Sequence, residues 1–155
     1  MKRNLKYTNM KSIKSLLVAL LLGASFWSYG QQGEISSLRV GFKVDPSSVT
    51  VDPNNPRAYA SAAFEVLFYV QISDTVNVNN VLISLGSSDG ASNYFSYSLA
   101  LNGSNLPQGV SIEKQGDLWV IHAGIYSGIN VYYGSAKLQY TNGAYSIVKK
   151  VTNGQ

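Results

Sequence analysis

From Leu38 onward apolar residues recur at every second position, and the clearest run is Ala62 to Ser73. There Phe64, Val66, Phe68, Val70 and Ile72 alternate with Glu65, Leu67, Tyr69 and Gln71. A period of two places the first set on one face of a β-strand, because successive side chains of a strand point to opposite sides. The opposite face is itself half apolar, which suits a central strand and would be hazardous on an exposed sheet edge.

The same alternation predicts further strands on either side. Leu38, Val40, Phe42 and Val44 define one that stops at Asp45-Pro46. Val49-Thr50-Val51 is a short piece closed by Asp52-Pro53-Asn54-Asn55-Pro56, where two prolines discourage continued pairing. Val81, Ile83 and Leu85 form another, ended by the turn formers Gly86 to Gly90. Phe95, Tyr97, Leu99 and Leu101 then face one way, with Tyr94, Ser96, Ser98 and Ala100 facing the other.

Two hairpins close the chain. A Gln115-Gly116 turn would pair Lys114 with Asp117, Ile112 with Trp119 and Val110 with Ile121. Asn142-Gly143 is the stronger signal, since both residues tolerate the positive φ angles of a type I′ turn. It would pair Tyr140 with Tyr145 and Leu138 with Ile147, and Lys149 falls opposite Ala136. A slip of one residue would turn Tyr145 and Ile147 outward.

About eight strands with regular turn signals and no helical period predict an all-β fold, an antiparallel two-layer β-sandwich. A closed barrel is the alternative. Strand count, the aromatic core strand and the closing run from Val131-Tyr132-Tyr133 to Tyr145-Ser146-Ile147 resemble the immunoglobulin-like and fibronectin-III-like domains of exported bacterial proteins. That resemblance covers Leu38 to Val151 and implies Tyr132 as a tyrosine corner. The family's cysteine pair is missing and Trp119 sits late, so no functional residue carries over.

Charge changes the picture chiefly at the N-terminus. Five of the twelve cations, Lys2, Arg3, Lys6, Lys11 and Lys14, precede the apolar run Leu16 to Ala24. A basic stretch, a short apolar stretch and small residues describe a secretory signal peptide over 1–30, cleaved before Gln31. The apolar run is short of the roughly 20 residues needed to span a bilayer, so no stable membrane span is expected after removal. The remaining seven cations face all eight acids, which removes the electrostatic case for nucleic-acid binding. Residues 31–37 read as a flexible leader, 38–151 as the domain and 152–155 as a tail. The expected location is the periplasm, cell surface or exterior.

Candidate chemistry is sparse. His122 is the sole histidine and no Gly-x-Ser-x-Gly motif accompanies it, so a hydrolase is not expected. Asp74, Asn77 and Asn79, and Asp52, Asn54 and Asn55, are oxygen-rich loops, but neither has the ligand density of a calcium site. No cofactor is expected. Asn102-Gly103-Ser104 and Asp74-Thr75-Val76 have the form of glycosylation acceptors. What remains is outward aromatic and apolar surface: Leu67, Tyr69, Tyr94, Leu118, Val120, Tyr133 and Val148 form the candidate binding set. The expected function is a non-enzymatic interaction or structural module whose partner is another envelope protein or a second copy. The alternative is carbohydrate binding, with Tyr94, Tyr126 and Tyr133 as stacking platforms.

Overall fold

The structure is a computed structural model that describes residues 32–44, 50–52, 55–61, 63–129 and 132–152, with backbone alone for 50–52 and 55–61. The signal peptide and its cleavage point, the Asp45-Pro46 stop, the Pro53-Asn54 turn, Val131 and the end of the tail lie outside the described residues.

Among the described residues ten strands follow in order: β1 (Ile35–Val44), β2 (Thr50–Asp52), β3 (Asn55–Ser61), β4 (Ala63–Ile72), β5 (Val78–Gly86), β6 (Asn93–Ala100), β7 (Ser111–Gln115), β8 (Leu118–Ser127), β9 (Tyr133–Tyr140) and β10 (Lys149–Thr152). Eight of them build two four-stranded antiparallel sheets. Sheet I has the order β1-β4-β8-β7 and sheet II the order β10-β9-β5-β6, while β2 and β3 pair as a separate ribbon. The fold is therefore all-β and sandwich-like. The β3 strand lies where the prolines predicted only a loop. A two-stranded ribbon accommodates Pro56 because both of its strands are edges, which can spare a backbone donor.

The β4 strand is central in sheet I, hydrogen-bonded to β1 and β8. Val66, Phe68, Val70 and Ile72 are buried against Val81, Ile83, Leu85, Leu99, Ala136 and Leu138 of sheet II. Each such side chain contributes roughly 1.5–3 kcal/mol when fully buried. Aromatic rings fill the middle of the layer: Phe68 meets Phe95 edge-on at 6.0 Å. Phe95 stacks on Tyr97 at 5.0 Å and on Tyr126 at 4.9 Å.

Bulges decide which residues reach this core, and strict alternation does not register them. One between Ile35 and Ser37 turns Ile35 inward opposite Ile72, so strand pairing begins inside the stretch read as a leader. A second, between Val78 and Asn80, lets Val78 as well as Val81 pack inward. The third lies in β8, where Gly124 adopts a φ of 106° and an extra residue is accommodated between His122 and Ile125. Beyond it the parity of β8 is reversed, and Tyr126 points into the core.

Turn geometry corrects both hairpin registers. In the first, the loop is Gly116-Asp117, so Gln115 pairs with Leu118 and Ile112 with Ile121. Only Gly116 has positive φ, the pattern of a type II′ turn, and the shift by two preserves every facing. In the second, Gly143 has positive φ and Asn142 does not, which excludes type I′. Gly143 N donates to Tyr140 O and Tyr140 N to Ala144 O, closing a three-residue loop with a glycine bulge. Gln139 therefore faces Tyr145 across the bridge, and Tyr145 and Ile147 turn outward. The predicted Lys149–Ala136 pairing is present.

The N-terminal end is fixed by a lock around Gly33. Its carbonyl accepts the buried Tyr140 hydroxyl at 2.8 Å, and Ser73 N donates to Glu34 O at 3.0 Å. A Cβ on Gly33 would run into the backbone oxygen of Asp74, which no side-chain rotation can relieve. Gly33→Ala is expected to lower the unfolding free energy by ~1–3 kcal/mol, as overpacking does, with the denaturant slope unchanged in urea titrations.

Candidate functional site

The seven candidate binding residues lie on two opposite surfaces of the sandwich, so the structure does not bring them together. Leu67, Tyr69, Leu118 and Val120 belong to the outer face of sheet I. Leu67 is 8% and Val120 6% exposed, which corrects the expectation that they form an open patch. Among the described residues, their neighbours on the sheet shield them. In the register Leu67 lies between Gly41 and His122, and Val120 between Tyr69 and Glu113. Gly41 has no side chain, so the Tyr69 ring lies down over it: a Cβ there would come within 3.0 Å of Tyr69 Cε2. The Arg39 guanidinium covers the other part of that ring at 5.3 Å.

His122 stands beside these residues in a charged cluster. Its Nδ1 is 2.6 Å from Glu65 Oε1, and Lys43 Nζ is 3.9 Å from Glu65 Oε2. A catalytic triad would place a hydroxyl at Nε2. Here that nitrogen faces Glu113 Oε1 at 3.9 Å. The geometry is that of a polar side-chain network across β1, β4, β8 and β7. Among the described residues no group of three or more His, Cys, Asp or Glu is arranged to hold a metal ion. In one oxygen-rich loop Asp74 Oδ1 accepts Val76 N at 2.8 Å, an Asx turn. The side chains of the other, Asp52 to Asn55, lie outside the description.

Tyr94, Tyr133 and Val148 belong to the sheet II side. Tyr94 is half-buried against the core, and Lys150 Nζ lies over the half-buried Tyr133 ring at 5.6 Å. Tyr126, expected as an outward sugar platform, is inside: its hydroxyl is 2.6 Å from that of Tyr97 and donates to Ala123 O at 3.1 Å. The Gly124 bulge is the cause.

The outer face of sheet II holds a surface of which alternation found only Val148. Tyr145 is 51%, Ile147 84% and Val148 41% exposed, three large apolar side chains within four residues. Here regular pairing lapses between the Gln139–Tyr145 bridge and Lys149. Val148 lines an open depression of about 260 Å³ with Leu82, Ser84, Ser96, Ser135 and Lys137. The Ser84 and Ser135 hydroxyls are 2.7 Å apart in its floor. Lys137 Nζ sits 4.2 Å above the Tyr145 ring, whose hydroxyl accepts from Gln139 Nε2 at 3.2 Å. The sequence signal for this surface was the Asn142-Gly143 register itself, read one residue out.

The chain matches no protein-family model, no curated protein and no solved structure. Among the described residues no helix is long and apolar enough to cross a membrane.

The buried hydroxyls yield a pH prediction. Burial, then the Tyr97 hydrogen bond, raise the Tyr126 pKa well above the usual tyrosine range, and burial raises that of Tyr140. Raised folded values mean that the stability tied to the neutral phenols is complete below the unfolded pKa of about 10 and is lost as pH climbs past it. Urea midpoints should therefore fall between pH 9 and pH 11, and Tyr126→Phe should fall less over that interval.

Proposed function

We propose that this chain is a non-enzymatic exported module that binds another protein of the bacterial envelope or cell surface, with immunoglobulin-like architecture. The architecture is supported by strand order. Naming the eight sandwich strands A, B, C, C′, D, E, F and G in chain order makes the sheets ABED and C′CFG, the constant-type arrangement with one added strand. Export rests on the basic and apolar N-terminal pattern.

The observation that carries the binding reading is the exposure of Ile147, with Tyr145 and Val148 beside it. Clustered apolar side chains on a surface cost hydration free energy and mark contact sites more often than isolated ones do. Their neighbours Lys137, Lys149 and Lys150 supply a charged rim, and a polar rim about an apolar centre is the usual anatomy of a protein interface. An acidic rim on the partner would complement it.

A second reading, carbohydrate binding, is supported by Tyr145 standing beside a depression lined with the hydroxyls of Ser84, Ser96 and Ser135. Aromatic faces and hydroxyl groups together suit a sugar ring. Against it, Lys137 already occupies a face of the Tyr145 ring. Binding on a glycan array that Tyr145→Ala abolishes would favour this reading over the first.

Ile147→Ser should leave stability within about 0.5 kcal/mol, as surface substitutions do, yet reduce capture of an envelope protein by roughly tenfold if Ile147 is an anchor. Pull-down from envelope extract, quantified against wild type, measures it. Equal capture by the two proteins would contradict the assignment.

A further inference from the structure

Three of the four edges of sheets I and II carry protection against pairing with another chain. The β1 edge bears Arg39 and Lys43 and begins at a bulge. The β7 strand has five residues, among them Glu113 and Lys114. The β10 strand has four and opens with Lys149-Lys150. Charge, brevity and bulges are the devices by which proteins keep sheet edges apart. The β6 strand has none of them along its length: Asn93-Tyr-Phe-Ser-Tyr-Ser-Leu-Ala100 is eight residues without a charge, a proline or a glycine. Its one irregularity, at Asn93, is confined to its start.

Among the described residues β6 pairs with β5 alone, and the ladder shows which backbone groups are left over. Leu101 N donates to Asn79 O, in the same register as Leu99 with Val81, Tyr97 with Ile83 and Phe95 with Leu85. Antiparallel pairing alternates between the two edges of a strand. The odd-numbered residues therefore bond to β5, and Tyr94, Ser96 and Ser98 aim their N–H and C=O groups away from the sheet.

We propose that β6 pairs antiparallel with β6 of a second copy of this chain, joining the two sheets II into one eight-stranded sheet. A two-fold axis at Ser96 sets Ser96 opposite Ser96 and Tyr94 opposite Ser98, with about six backbone hydrogen bonds across the join. The same register sets Phe95 opposite Tyr97 on the inner face, an aromatic cross-strand pair that also covers the half-buried Tyr97. A strand without charge meets no repulsion from its own copy, whereas β10 paired with itself would gather four lysines. The inference deepens the interaction reading by making a second copy one of the partners. It uses an edge of sheet II, while Ile147 stands beyond the opposite edge of the face, so the two surfaces can be tested apart.

Light scattering coupled to size exclusion, over a dilution series of the protein recovered after export of the full chain, tests the proposal. Wild type is expected at twice the mass of the mature chain, falling to the single-chain mass on dilution. Ser96→Lys places two like charges directly opposite each other at the two-fold axis, and Ser98→Pro removes an N–H that β5 does not use; both should halve the mass with the β-sheet circular dichroism unchanged. Should the proline variant fail to fold, the lysine variant decides. Wild type at single-chain mass throughout, or a Ser96→Lys variant still at twice that mass, would overturn the pairing. A monomer that still captures an envelope protein through Ile147 overturns the edge pairing alone. A dimer that captures nothing retains it and removes the binding role of Ile147.

Discussion

Burial of one face of β4 between two sheets is the constraint from which the rest of the molecule follows. Val66, Phe68, Val70 and Ile72 can leave water only if a second layer covers them, and sheet II supplies it through Val81, Ile83, Leu85 and Leu138. With no cysteine in the chain there is no disulfide to hold the layers together, so apolar burial must offset the conformational entropy of ordering the domain. The approach of the layers is close enough to require a glycine. At Gly134 a Cβ would meet Val40 Cγ2 at 2.8 Å and Val151 Cγ1 at 3.2 Å.

That constraint also explains the character of the two outer faces. On sheet I the residues opposite the core are partly apolar, yet Leu67 and Val120 are kept dry by a flat Tyr69, by Arg39 above it and by the Glu65–His122 pair. A long amphipathic side chain lying along a sheet can do the work of a covering layer. On sheet II no such cover extends to Ile147, because β10 begins two residues later and the intervening segment is released from regular pairing. The difference between a sealed face and an open one therefore lies in a few long side chains and one turn. It is also why the proposed binding surface belongs to sheet II.

Sequence periodicity was sufficient for the strands that obey it. From Leu38 to Phe42, Val66 to Ile72 and Val81 to Leu99, every inward residue was legible as such, because burial of one face leaves a signal of period two. Val44, expected on the same face at the strand's end, is exposed, and Phe64 lies outside the core cluster. What alternation cannot register is an inserted residue. Gly124 reverses the parity of β8, which is why Tyr126 reads as a surface platform and lies in the core. The Asn142-Gly143 pair fits two turns that differ by one residue in register, and the longer one is adopted. Ile35 was hidden for the same reason, by a bulge at the start of β1. The charged cluster on sheet I joins β1, β4 and the β7–β8 hairpin, which are distant in sequence. Only strand order, which local pattern does not encode, places Glu65 beside His122.

Native-state hydrogen exchange tests the central claim most directly, since it reads the stability of each backbone amide separately. If the β4 face is the buried centre of the fold, the amides from Leu67 to Val70, in residues paired with both β1 and β8, exchange only through global unfolding and form the slowest group in the chain. Exchange of those amides as fast as the amides of the Ser88 to Ala91 turn would contradict the account, because it would mean that the two layers do not close over β4.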